Sequence, residues 1–76
     1  MTAREQILRD LLTSPSTAAA ITDHTDIPAD QVTLILRREV ESGIVESRPL
    51  KTLTVWSLTS EGREIAKPLR PSPKYY

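Results

Sequence analysis

Between the alanine run at positions 18 to 20 and Gly62, punctuation leaves this chain little choice of architecture. Thr25-Asp26-Ile27-Pro28 has room only for a tight turn between two short helical patterns, and Gly43 stops the second of them before a β-rich stretch. A tight connection between crossing helices often needs a left-handed residue, and Asp26 is among the few non-glycines that tolerate one. Pro28 lacks an amide proton and so fits at or just before the start of the next helix. Ile27, between them, is expected to insert into the core.

The elements on either side follow from capping and periodicity. Thr2 can cap a first helix while Glu5, three residues on, reaches back to the Thr2 amide. Ile7, Leu8, Leu11 and Leu12 then form an apolar stripe. Ser14-Pro15-Ser16 ends this helix, and Ser16 or Thr17 caps a second that runs from about Thr17 to His24. Its Ala18, Ala19, Ala20 and Ile21 are good helix formers that allow another helix to approach closely. A third helix over about Ala29 to Ser42 has Val32, Ile35, Leu36 and Val40 directed at the core, with Asp30 favourable near its positive end. The opposite face presents Gln31, Thr33, Leu34, Arg37, Arg38 and Glu41.

After Gly43, Ile44 to Arg48 reads as a strand, Pro49-Leu50-Lys51 as a tip, and Thr52 to Leu58 as the return strand of a hairpin. Period-two alternation puts Thr54, Trp56 and Leu58 on one face and Leu53, Val55 and Ser57 on the other. Trp56 and Leu58 are expected to close over the helices, which leaves Leu53 and Val55 needing cover. Thr59 caps a last helix with Glu61 in its first turn, Ile65 and Leu69 share a face, and Pro68 limits its length. The expected class is α+β: a three-helix core, a two-stranded hairpin and a short C-terminal helix over residues 1–67. A Pro-rich basic tail occupies 68–76.

Composition narrows the function. A chain of 76 residues is one small domain whose core needs roughly a dozen apolar side chains. It has no cysteine, hence no disulfide framework and no thiolate metal site. Its single histidine, His24, has no second imidazole to share a zinc ion and reads as an ordinary helix-end or surface residue. No metal or cofactor is expected. No apolar run is long enough for a membrane span, and no signal peptide is visible, so a cytoplasmic location is expected. Catalysis finds no support either: no paired carboxylates sit in a motif, and two glycines cannot build a phosphate loop.

Net charge is zero, although DNA-binding domains are often basic. The distribution is uneven. Residues 1–46 carry four basic and eight acidic side chains, whereas residues 47–76 carry six basic and two acidic. The positive half holds the hairpin and the tail.

With these elements in order, residues 3 to 67 resemble a winged helix-turn-helix DNA-binding domain of bacterial or archaeal repressors, of the arsenic-resistance or multiple-antibiotic-resistance type. The carriers are Thr17 to Ile21, Ile27-Pro28, Val32 to Arg48 and, most specifically, Trp56-Ser57-Leu58-Thr59-Ser60-Glu61-Gly62-Arg63-Glu64-Ile65-Ala66. Two departures stand out. Family members usually carry an apolar residue where Glu39 stands, and Val40 is expected to take over part of its packing. Metal-sensing thiolates and long dimerisation helices are both missing from this sequence.

The resemblance implies sequence-selective binding of double-stranded DNA, as a small transcriptional regulator of the kind found in archaea, phages or mobile elements. The third helix would enter the major groove, with Gln31 suited to adenine, Thr33 to either base type, Leu34 to a thymine methyl and Arg37 to guanine or phosphate. Arg38 and Thr17 suit phosphate, and Arg48 and Lys51 on the hairpin suit the minor groove or backbone. A homodimer is expected, with Leu53, Val55, Leu69, Tyr75 and Tyr76 as interface candidates. The alternative is a winged helix that docks a protein partner through Leu34 or the tail without binding DNA. In that case Arg37 and Arg38 would only pair with Glu41 and with Asp30 or Glu39.

Overall fold

A computed structural model describes residues 1–69 of the chain. Its elements are α1 (Ala3–Thr13), α2 (Ala18–Thr25), α3 (Ala29–Glu41), β1 (Val45–Leu50), β2 (Leu53–Leu58) and α4 (Ser60–Ala66), followed by a 3₁₀ turn at Lys67–Leu69. Tyr75 and Tyr76, like most of the expected tail, lie outside the described residues.

Helices α1, α2 and α4 each begin at a threonine whose hydroxyl satisfies a free amide. At α1 the Glu5 amide donates to the Thr2 hydroxyl at 3.2 Å, and the Thr2 amide donates to the Glu5 carboxylate at 2.9 Å. The Thr2 amide first, and then the Thr2 side chain, hold the Glu5 carboxyl below its ordinary pKa. Thr17 caps α2 by accepting from the Ala20 amide at 3.2 Å, and Thr59 caps α4 by accepting from the Gly62 amide at 3.0 Å. The turn after α2 has the expected conformation: Asp26 is left-handed at φ 62°, and its amide donates to the Thr22 carbonyl at 2.8 Å. Thr25 ties the turn further by donating to the Ile21 carbonyl at 2.7 Å. Pro28 occupies the N-cap of α3, and Gly43 follows that helix at φ 79°.

Twelve buried apolar residues make one core. Ile7, Leu8 and Leu11 come from α1, Ile21 and Ile27 from α2 and its turn, Val32 and Leu36 from α3, and Ile44, Val45, Trp56 and Leu58 from the hairpin and its approach. Ala66 of α4 completes it, with Leu12, Ile35 and Leu69 packed partly against it.

Two helix faces differ from expectation. On α3, Val40 is 37% exposed and Glu39 is buried at 7%. The core stripe therefore runs 32, 36, 39, the ordinary helical spacing, and Val40 sits one position round from it. A carboxylate can hold that place because Arg4 of α1 reaches it, Nη2 to Oε1, at 3.0 Å. On α4, Ile65 is exposed while Ala66 and Leu69 turn inward. The 3₁₀ turn that opens after Ala66 rotates Leu69 towards α1, so Leu69 serves the core rather than a free surface.

The hairpin is longer than expected. The antiparallel register pairs Val45 with Leu58, Ser47 with Trp56 and Leu50 with Leu53, leaving only Lys51 and Thr52 as the tip. Lys51 takes the positive φ, 57°, that such a turn requires. Pro49 lies within β1, tolerated because β1 is an edge strand where a missing N–H need not serve the ladder. The other edge of β2 is occupied by Ser16, which exchanges two backbone hydrogen bonds with Trp56 at 3.0 and 2.8 Å. This bridge, between the first two helices, has no sequence signal.

Behind the hairpin, α4 is seated by two contacts. The Thr59 hydroxyl donates to the Gly43 carbonyl at 2.6 Å. Gly62 is buried so close to the approach to β1 that a Cβ would fall 2.0 Å from the Ile44 carbonyl oxygen. Only glycine fits there, which gives the Leu58-Thr59-Ser60-Glu61-Gly62 run its physical meaning.

Candidate nucleic-acid interface

The surface of α3 that faces away from the core carries Gln31, Leu34, Arg37, Arg38 and Glu41, all exposed. Leu34 is 50% exposed at its centre. Neither Arg37 nor Arg38 forms an ion pair among the described residues, although Glu41 stands three and four positions on, the helical pairing distances. Gln31 likewise makes no side-chain hydrogen bond among the described residues, so its donor and acceptor groups remain unsatisfied within the fold.

The two threonines are less free. Thr33 is half-buried and donates its hydroxyl proton to the Ala29 carbonyl at 3.0 Å, leaving only acceptor capacity. Thr17 accepts from the Ala20 amide, so its hydroxyl proton remains available to an external acceptor. Arg48 and Lys51 stand exposed on the distal hairpin.

The structure brings the C-terminal half of α3 and the hairpin base together. Arg37, Val40, Glu41, Ser47 and Trp56 line an open groove of about 350 Å³. Arg37 is thus the one expected contact residue that belongs to this shared concavity, whereas Gln31 and Leu34 lie further along α3 and Arg48 and Lys51 further along the hairpin. Sequence reasoning misses Val40 and Ser47 as groove residues. The signal that could find Val40 is its place one step off the 32, 36, 39 stripe.

A second open groove, of about 300 Å³, lies between α1 and α2 and includes Arg9, Asp10 and His24. There His24 Nδ1 sits 3.1 Å from an Asp10 oxygen, a contact that ties α2 to α1. Among the described residues no three metal-ligating side chains cluster, and no helix is long and apolar enough to cross a membrane.

No family model and no curated protein matches the sequence. Solved structures do. Lactococcus lactis ZitR, a zinc-responsive MarR family member, superposes with a TM-score of 0.75 at 28% identity, over 88% of this chain and 49% of that one. The adhesin competence repressor AdcR of Streptococcus pyogenes reaches a TM-score of 0.81 at 19% identity, over 91% of this chain and 55% of its own. An Archaeoglobus fulgidus protein also gives 0.81, at 21% identity, over 87% of this chain and 78% of its own. The chain spans about half the length of the two regulators. The helix order, the hairpin and these superpositions agree on one architecture, and the fold is the winged helix-turn-helix of MarR-type repressors.

Proposed function

We propose that this domain binds double-stranded DNA selectively as part of transcriptional regulation, with α3 in the major groove and the 44–58 hairpin as its wing. The observation that carries this reading is the state of the α3 surface. Two arginines and a glutamine, side chains suited to guanine, adenine and phosphate, stand there without intramolecular partners among the described residues. Arg37 and Gln31 address bases, Leu34 packs on a thymine methyl, Thr33 accepts from a base donor, and Arg38 and the Thr17 hydroxyl hold phosphate. Arg48 and Lys51 add contacts beside the helix. ZitR and AdcR, a zinc-responsive regulator and a repressor, support the regulatory role by analogy of fold.

Dimerisation on a two-fold site belongs to the same proposal. A neutral domain with few free cations gains affinity from doubling its contacts, and Leu53 and half-buried Val55 remain candidates for such an interface. Zero net charge and exposed Leu34 favour a second reading, a protein-docking winged helix.

The separating experiment is a gel shift with the double variant Arg37→Ala, Arg38→Ala. Retention of a DNA fragment is expected to vanish while the circular dichroism melt stays unchanged. Equal retention by the variant rejects α3 as the reading helix. Failure of the wild type to retain any DNA fragment points instead to the protein-docking reading.

A further inference from the structure

The outer edge of β1 leaves the hydrogen bonding of the sheet unfinished. Trp56 commits its N–H and C=O to Ser16, on the side of β2 that faces away from β1. Its partner across the hairpin, Ser47, is therefore in a non-hydrogen-bonded pair of the ladder. The Thr59 amide, which donates to the Ile44 carbonyl at 3.0 Å, keeps the same phase. It follows that the N–H and C=O of Ser47, and the C=O of Pro49 two residues on, point outward. None of them has a backbone partner among the described residues, and residues 46–50 are all exposed.

We propose that this edge docks an extended segment of a protein partner as an added antiparallel strand, which displaces DNA from the α3 groove. Main-chain pairing to an exposed edge supplies affinity, and alternate side chains supply selectivity. The residue opposite Ser47 exchanges two hydrogen bonds with it, and the residue opposite Pro49 donates its N–H to the Pro49 carbonyl. Residues opposite one another share a face, so the first of these directs its side chain, beside Ser47, into the groove lined by Arg37, Val40, Glu41 and Trp56. A small apolar residue suits that place. On the outer face its neighbours meet Glu46 and Arg48, neither of which forms an ion pair among the described residues. The segment so selected reads, in its own direction, acidic, small apolar, basic, with the acid opposite Arg48 and the base opposite Glu46. Glu46-Ser47-Arg48 of this chain has the same charge order, but a second copy fits the edge poorly. Centred on Ser47, self-pairing lays the second copy's Pro49 along Val45, which is 2% exposed and already covered. Centred on Arg48, it sets like charges opposite one another. A short segment ending opposite Glu46 meets neither obstacle. Displacement of DNA rests on the DNA-binding reading, because Arg37 belongs to the same groove, whereas docking of the strand does not.

The probe is the acetylated and amidated peptide Ser-Thr-Glu-Val-Lys-Ser, titrated into the protein and followed by the fluorescence of Trp56, the only tryptophan. Saturable binding is expected, and none at about 1 mM peptide overturns the proposal. Methylating the valine nitrogen removes the donor that meets the Ser47 carbonyl without altering charge, and should abolish binding; equal binding by the methylated peptide overturns strand addition. Exchanging the glutamate and lysine of the peptide should weaken binding on the order of tenfold, and the protein variant Glu46→Arg, Arg48→Glu should restore it. Both positions are exposed, so the fold should survive, and the melt checks it. A preference that the swap leaves unchanged overturns the assigned register. In a gel shift the parent peptide should release a retained DNA fragment. Retention at saturating peptide overturns the displacement, whereas a wild type that binds the peptide but retains no DNA overturns the DNA reading alone. A concentration-dependent dimer that Arg48→Glu dissolves and the double swap restores gives the edge to a second copy and overturns the proposal.

Discussion

The Arg4–Glu39 pair makes an asymmetric prediction, because its two members differ in their access to water. Glu39 is 7% exposed, while the Arg4 side chain is 45% exposed. Their contact, which keeps the arginine above its ordinary pKa, is close at 3.0 Å. Its alignment is poor, however, and leaves Glu39 Oε1 without a well-formed hydrogen bond. Removing the arginine strands a carboxylate in the core, whereas removing the carboxylate leaves a cation that rehydrates. Breaking a fully buried pair costs about 3–5 kcal/mol, so with one partner near solvent we expect Arg4→Ala to cost about 2–3 kcal/mol. Glu39→Met should be neutral or stabilising by about 1 kcal/mol, since apolar replacement of a buried charge is often favourable. The double variant should resemble Glu39→Met alone. For a domain this size the total stability is about 4–11 kcal/mol, so the difference is readily measured.

Urea titration followed by the fluorescence of Trp56, the only tryptophan and a buried one, supplies the assay. With a slope of about 1 kcal/mol per molar, Arg4→Ala should lower the midpoint by about 2–3 M. Equal midpoints for Arg4→Ala and Glu39→Met would refute this account of the pair.

Three further outcomes follow from the geometry. Gly62→Ala should destabilise by at least about 1–3 kcal/mol in a thermal melt, the range for an overpacked core, because its Cβ meets the rigid Ile44 carbonyl rather than a side chain that can yield. The depressed Glu5 pKa means that the Thr2–Glu5 capping box contributes stability above the unfolded glutamate pKa and loses it as the pH falls through the lower folded value; Thr2→Ala should weaken that acid dependence, and an unchanged pH profile would remove the box from it. Replacing Arg48 and Lys51 by alanine should flatten the dependence of log DNA affinity on log salt by about 2, one unit for each phosphate no longer neutralised, and an unaltered slope would exclude the wing from the backbone contacts.

How far the fold is legible in the sequence depends on how local each cause is. Capping at Thr2, Thr17 and Thr59 and the left-handed Asp26 are decided within a few residues, and those elements lie where the spacing puts them. The departure at α3 has a non-local cause. Glutamate is seldom buried without a partner, and that partner, Arg4, lies 35 positions away on another helix. The Ser16–Trp56 bridge escapes for the same reason, since a single residue pairing across the chain has no periodicity. Ile65 and Leu69 would share a face only in a regular helix, and at Pro68 the chain tightens into a 3₁₀ turn. At the candidate interface, residue types on α3 are legible but their pairing is not: Arg37 and Arg38 stand unpaired although Glu41 lies at helical pairing distance from both.

That last point bears on the neutral charge of the chain. The α3 face and the hairpin carry Arg37, Arg38, Arg48 and Lys51 against Asp30, Glu41 and Glu46. Four cations can release at most about four counterions, a log-log salt slope near −3.6 per domain. Electrostatics of that size steer and position the domain but discriminate little among sequences. On the proposed reading, selectivity would fall to the uncharged side chains of α3, Gln31 on a base edge and Leu34 on a thymine methyl. Burying Glu39 helps to set this balance. An exposed glutamate on this side of α3 would lower its positive potential, and turning it to Arg4 withdraws that charge without altering the net charge. The neutrality that counts against DNA binding in the whole sequence is thus unevenly realised on the folded surface, with one carboxylate withdrawn from the face where it would repel phosphate.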